Sequence, residues 1–149
     1  GDFYFAPRIF SRDVDDYIQG IPSMNMAVVG VSRNANGDPT PLVFANTDAN
    51  FSGADMTAGF RINNTMRVEG MYSTVNGERD DIADNLYRVN PDNLRLALYY
   101  EAANFNAKLE QVFIFDQDDI SLANTLDPTN PNNSSNPTDG YELTNLFMS

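Results

Sequence analysis

Residues 93 to 101, "NLRLALYYE", alternate between two kinds of side chain. Leu94, Leu96, Leu98 and Tyr100 fall on one face of an extended strand, and Arg95, Ala97, Tyr99 and Glu101 on the other. Successive strand side chains point to opposite faces, so the period of two gives one apolar side and one mixed polar side. The pattern recurs along the chain and predicts about six strands. They run from Phe3 to Ile18, Leu42 to Ile62, Thr65 to Val75, Leu94 to Glu101, Ala107 to Ile120, and from Tyr141 onward. In the second, Ala54, Met56, Ala58, Phe60 and Ile62 share a face opposite Asp55, Thr57, Gly59 and Arg61. In the third, Met66, Val68, Gly70 and Tyr72 oppose Arg67, Glu69, Met71 and Ser73. The fifth is less regular, because Gln111 shares a face with Leu109, Phe113 and Phe115, while Lys108 and Glu110 lie opposite. Helix signals are poor, since Asn, Asp, Gly and Pro recur and apolar spacings of three or four are rare.

Two environments fit the apolar sides: a protein core or lipid. The connections favour lipid. Asn63-Asn64 alone separates the second and third runs and suits the positive φ of a tight hairpin. A short turn around "ANFN" joins the fourth and fifth. The other three connections are long, and alternating short and long turns are what a membrane barrel displays. The runs also reach the roughly 9–11 residues that a tilted spanning strand needs. Arg61, Arg67, Arg95, Glu69 and Glu101 are costly in a dry core and natural in a wet lumen. The expected fold is therefore all-β, an antiparallel up-and-down meander forming a segment of a transmembrane outer-membrane β-barrel. A secreted β-rich binding or adhesion module is the alternative, with a passive porin-like barrel as a third reading.

Composition narrows the function. The chain has 149 residues and no cysteine or histidine, which excludes disulfides, thiolate metal sites and the commonest general base. Twenty-one acids against nine bases give a net charge of −12, unfavourable for binding nucleic acid. Pairs of carboxylates occur too freely in such a chain to signal a hydrolase, and nucleophilic triads lack their base. No catalytic residue, cofactor or resident metal is expected. Met24 and Met26, in "SMNM", are candidate ligand-binding residues because paired thioethers suit soft Cu(I), although loop methionines also cover apolar patches. The acidic stretches Glu78–Asp81 and Asp116–Asp119 read as solvated loop charges, bridged by divalent ions to lipopolysaccharide phosphates or attracting cationic substrates. "PTNPNNSSNPTDG" reads as a turn-rich loop.

"PRIFSRDVDDYIQGIP", "PLVFANTDANFSGADMTAGFRI", "VEGMYSTVNGERDDIADNLYRVNPDNLRLALYYE" and "GYELTNLF", in that order, resemble the C-terminal half of TonB-dependent outer-membrane receptors. One departure is Asp55, where the family more usually carries Glu. The resemblance implies a barrel of about 22 strands with a plugged lumen. It implies uptake of a metal chelate, a siderophore or as second choice copper, energised through TonB. Residues 1–149 are then expected to be a partial barrel domain, with the plug domain and the closing strands outside them. Outer-membrane lipid, lipopolysaccharide, TonB and the chelate are the partners so implied, with Ala54, Met56, Ala58, Phe60, Ile62, Leu94, Leu96 and Leu98 facing lipid. Arg61, Arg67, Arg95 and Glu101 face the lumen on the same reading.

Overall fold

The computed structural model describes residues 2–121 and 137–149. Six strands follow one another in a single antiparallel sheet: β1 (Phe3–Pro22), β2 (Leu42–Arg61), β3 (Met66–Arg79), β4 (Asn93–Ala102), β5 (Phe105–Ile114) and β6 (Tyr141–Met148). Their order in the sheet is their order in sequence. The fold is the expected up-and-down meander, with one addition. The first long connection contains a helix, α1 (Met26–Asn36). Its ends use the residues that made the stretch look unhelical. The Asn25 side chain caps the start by accepting from the Ala27 N–H at 3.0 Å. Gly37 stops the helix at φ 80°, its N–H donating to the Arg33 carbonyl. Asn and Gly were boundary markers here, not breakers.

Strand limits shift elsewhere too, and β1 runs four residues past Ile18 to Pro22. β3 runs four residues past Val75 to Arg79, and β5 ends at Ile114 rather than Ile120. Beyond that point the chain leaves the ladder: the Phe115 N–H donates to the Asp92 carbonyl and Gln117 bridges to Thr138. Most of the "PTNPNNSSNPTDG" stretch lies outside the described residues.

The β2–β3 connection is not a positive-φ turn. Among the described non-glycine residues only Asp16 and Arg88 have positive φ. Instead the Asn63 side chain carries the turn, its Oδ1 accepting from the Thr65 N–H, the Thr65 hydroxyl and the Met66 N–H at 2.9 Å each. An Asn side chain can replace a backbone turn bond in this way. A bulge interrupts the β1–β2 ladder between Val14 and Tyr17, with Asp16 at φ 56°.

Two glycines of β2 hold aromatic rings of β1. Tyr4 is paired with Gly59 and Phe10 with Gly53, and a Cβ on either glycine would collide with the opposing ring. At Gly53 it would also meet the Thr74 carbonyl oxygen, which cannot move aside without breaking the ladder. Large rings covering cross-strand glycines stabilise pairs that glycine alone would weaken.

The sheet encloses little core. Among the described residues the buried apolar ones are Val29, Ala49, Leu86, Ala97 and Val112, whereas Phe3, Phe5, Ile9, Phe60, Leu96, Leu109 and Leu146 are exposed.

Candidate functional site: two faces and a folded loop end

Cross-strand register assembles the apolar face row by row. Phe3, Phe60, Val68, Leu98, Leu109 and Leu146 form one row, and Phe5, Ala58, Gly70 and Leu96 lie in the next. Pro7, Met56, Tyr72, Leu94 and Phe113 follow, and toward β6 these last two rows end in polar residues, Gln111 with Thr144 and then Glu142. Above them the same face turns polar, at Ser52 and Asn76 and at Asn50 and Glu78. Aromatic pairs mark both margins: Tyr100 and Phe105 near the tight turns, 6.2 Å apart, and Tyr72 and Phe115 toward the long loops, 6.4 Å apart. From Leu94 to Ala102 the band covers eight steps, about 26 Å along the strand or about 20 Å along the normal at 40° tilt. Leu96 is 46 % and Phe60 44 % exposed, so no described part of this chain covers them. Of the residues expected on this face, Ile62 lies one position beyond the end of β2, in the turn.

The opposite face carries Arg61, Arg67, Arg95 and Glu101, and the structure brings more charges to them. Arg67 spans Glu69 at 2.8 Å and Glu101 at 3.4 Å, with its guanidinium 3.8 Å above the Tyr99 ring. Glu110 pairs with Lys108 at 2.5 Å and Arg95 at 3.9 Å, and accepts from Asn145 at 3.2 Å. Arg61 turns to Asp2, 3.9 Å away. Arg67, Arg95 and Lys108 thus balance Glu69, Glu101 and Glu110. The alternation of β5 already put Lys108 and Glu110 on this face; their partners across the sheet required the register.

Toward the long loops, residues 80–92 fold down onto β1, β2 and β3. Leu86 is buried against Gly77, its N–H donating to the Gly77 carbonyl at 2.7 Å. The Tyr87 N–H donates to Gln19 Oε1 at 3.0 Å, and Gln117 Nε2 donates to the Val89 carbonyl at 3.1 Å. Tyr17 and Phe51 stack edge to face at 5.4 Å beneath the loop. Arg79 gathers the first acidic stretch, pairing with Asp81 at 2.6 Å and Asp84 at 3.8 Å, while Ser121 donates to Asp84. The Arg79 hydrogen bond holds the Asp81 carboxyl below its ordinary value of 3.8. In the second stretch, Asp116 accepts from the Gly140 N–H at 2.6 Å. Among the described residues no three His, Cys, Asp or Glu side chains are grouped to hold a metal ion. Met24 and Met26 are 91 % and 78 % exposed, and Met26 is the first residue of α1 rather than a loop residue.

No family model matches the sequence, and no curated protein matches it. Among solved structures, the chain is similar to one described as the copper transporter OprC, with a TM-score of 0.74 and 14 % identity. The match covers 99 % of this chain and 20 % of that one, so the chain spans about a fifth of the transporter's length. At that identity the likeness is one of fold: the six-stranded meander has the architecture of a stretch of outer-membrane β-barrel.

Proposed function

We propose that this chain is part of an outer-membrane β-barrel that takes up a metal. The observation that carries the reading is the apolar band on one face of β1 to β5, uncovered by the described residues and backed by a face of paired charges. In a barrel Ala54, Met56, Ala58, Phe60, Leu94, Leu96 and Leu98 contact lipid, with Ile62 at the turn. Arg61, Arg67, Arg95 and Glu101 line the lumen, where water screens their pairs. The long connections then stand at the lipopolysaccharide side and the two short turns at the periplasmic side. The resemblance to TonB-dependent receptors supplies the finer reading: an energised importer whose plug, outside residues 1–149, couples to TonB. A ferric or other metal chelate is the cargo on that reading; the name of the structural neighbour favours copper.

Two measurements test this. Leu96→Arg should cost about 2–4 kcal/mol of folding into bilayers if Leu96 lies near the midplane. Equal folding of variant and wild type counts against lipid on that face. Cells lacking the protein should accumulate less copper, or less iron supplied as a chelate, when the metal is scarce. Unchanged content of both would remove the metal from the proposal and leave the barrel.

A further inference from the structure

Two-residue spacing along β2 and β3 carries the face of Arg61, Arg67 and Glu69 up to Ala49 and Gly77, and no register shift interrupts that ladder. Near the long loops this charged face is covered. Ala49 is fully buried (0 % exposed), and Thr47 and Gly77 are buried beside it. On the opposite face of the same strands, Asp48, Asn76 and Glu78 are exposed.

The cover is a short excursion of the β3–β4 loop. After Arg79 the chain turns back along β3, where Asn85 bridges to Glu78 and the Leu86 N–H donates to the Gly77 carbonyl. It then crosses the charged face. A Cβ on Gly77 would stand 2.9 Å from Leu86 Cδ1 and 2.9 Å from Val89 Cγ2, so both side chains lie on that face. Between them Tyr87 reaches β1, its N–H donating to Gln19 Oε1 at 3.0 Å. Gln19 is paired with Ala45 and so shares the face of Thr47. Arg88 adopts φ 62°, a left-handed step that reverses the chain and returns Val89 to Gly77. The Val89 carbonyl accepts from Gln117 Nε2 at 3.1 Å, which closes the excursion.

We infer that residues 86–91 form a strap across the inner wall of the barrel that narrows the lumen on its long-loop side, so that cargo passes beside it. The inference rests on the barrel reading, which makes the charged face the inner wall. A layer packed on a sheet stands about 10 Å from it, so the strap takes about that width from the lumen over β1 to β3. Lifting it would expose Leu86, now 1 % exposed, and break the bonds to Gly77, Gln19 and Gln117 together.

The test places a Thr57→Cys substitution in the full-length protein, on the same face of β2 below the strap, and times its modification in outer membranes. Two maleimides are added from the long-loop side, one small and charged, the other carried on a bulky polyethylene glycol. Replacing residues 86–91 by a glycine–serine segment of equal length should raise the rate with the bulky reagent by at least about tenfold, or about 1.4 kcal/mol of barrier. The rate with the small reagent should stay unchanged. Gly77→Val keeps every loop residue but pushes Leu86 and Val89 off the wall, and should shift the bulky reagent's rate in the same direction. Circular dichroism of the purified variants establishes that the strands are retained. An unchanged rate with the bulky reagent in the folded variants overturns the strap and leaves the barrel intact. Leu96→Cys, on the apolar face, separates the two failures. If it reacts with the small reagent as fast as Thr57→Cys, the charged face is no inner wall, and the barrel reading falls together with the strap.

Discussion

β2 and β3 each serve two surroundings. Near the tight turns they present Phe60 and Val68 to whatever lies outside the chain, and Arg67 and Glu69 to a network of paired charges. Near the long loops the same strands meet Leu86, Val89 and the ribbon of β1, and there the chain buries its own side chains. The difference shows that this sheet is not a soluble layer lacking a partner throughout. It completes a core only where loops are long enough to fold back. The leucine rows, where none of the described loop residues reaches, remain uncovered. On the proposed reading, burial by the chain itself and burial by lipid are separable along a single strand.

The largest effect should come from the self-covered end. Leu86→Ala should destabilise the folded loop by about 2–5 kcal/mol, the usual cost of a truncation in a closed core. Hydrogen exchange should lose protection at Leu86 and Tyr87 while β4 and β5 keep theirs. Uniform loss across the sheet would merge the two regions into one cooperative unit. Leu96→Arg probes the uncovered end, with its cost of about 2–4 kcal/mol appearing in bilayers. Asn63→Ala removes three hydrogen bonds at the β2–β3 turn and should cost about 1–2 kcal/mol, lowering protection of Met66 first. No change there would assign the turn to its backbone bonds alone.

Much of this was legible in the sequence. Alternation placed β2 to β5 and their two unlike faces, because a period of two survives wherever a strand has unlike sides; β1 and β6 were placed as extended runs without assigned faces. What it missed has physical causes. α1 is short, and its identity rests on Asn25 and Gly37, residues that count against helix when read as interior positions. The end of β5 was overrun because Phe115 and Ile120 extend the apolar spacing after the ladder has stopped. The partners of Arg67 and Glu110 come from neighbouring strands, so they depended on register. Gln19 and Tyr87, 68 positions apart, carried no mark that would join them. Glu78–Asp81 looked like free carboxylates, yet Arg79 within that stretch turns back to bind Asp81.

The smallest effect is a pH dependence at that pair. The folded-state pKa of Asp81 lies below its ordinary value of 3.8, so the Arg79 pair stabilises the loop above that value. The stabilisation is lost as pH falls through the folded-state pKa. Protection of residues 80–86 should therefore hold at neutral pH and fall in acid below about pH 3.8. Asp81→Asn should remove that acid-dependent change. An identical acid profile in the variant would attribute it to other carboxylates.

The most direct test of two faces with two surroundings uses the absence of cysteine from the chain. Single cysteines placed in turn from Leu94 to Glu101, each carrying a spin label, report collisions with oxygen, which concentrates in lipid, and with a water-soluble nickel chelate. In bilayers, Leu94, Leu96 and Leu98 should be open to oxygen and shielded from the chelate. Arg95, Ala97 and Tyr99 should show the reverse, giving a period of two in opposite phase for the two reagents. A chelate that reaches the leucine positions, or a flat profile for both reagents along β4, would contradict lipid on the apolar face.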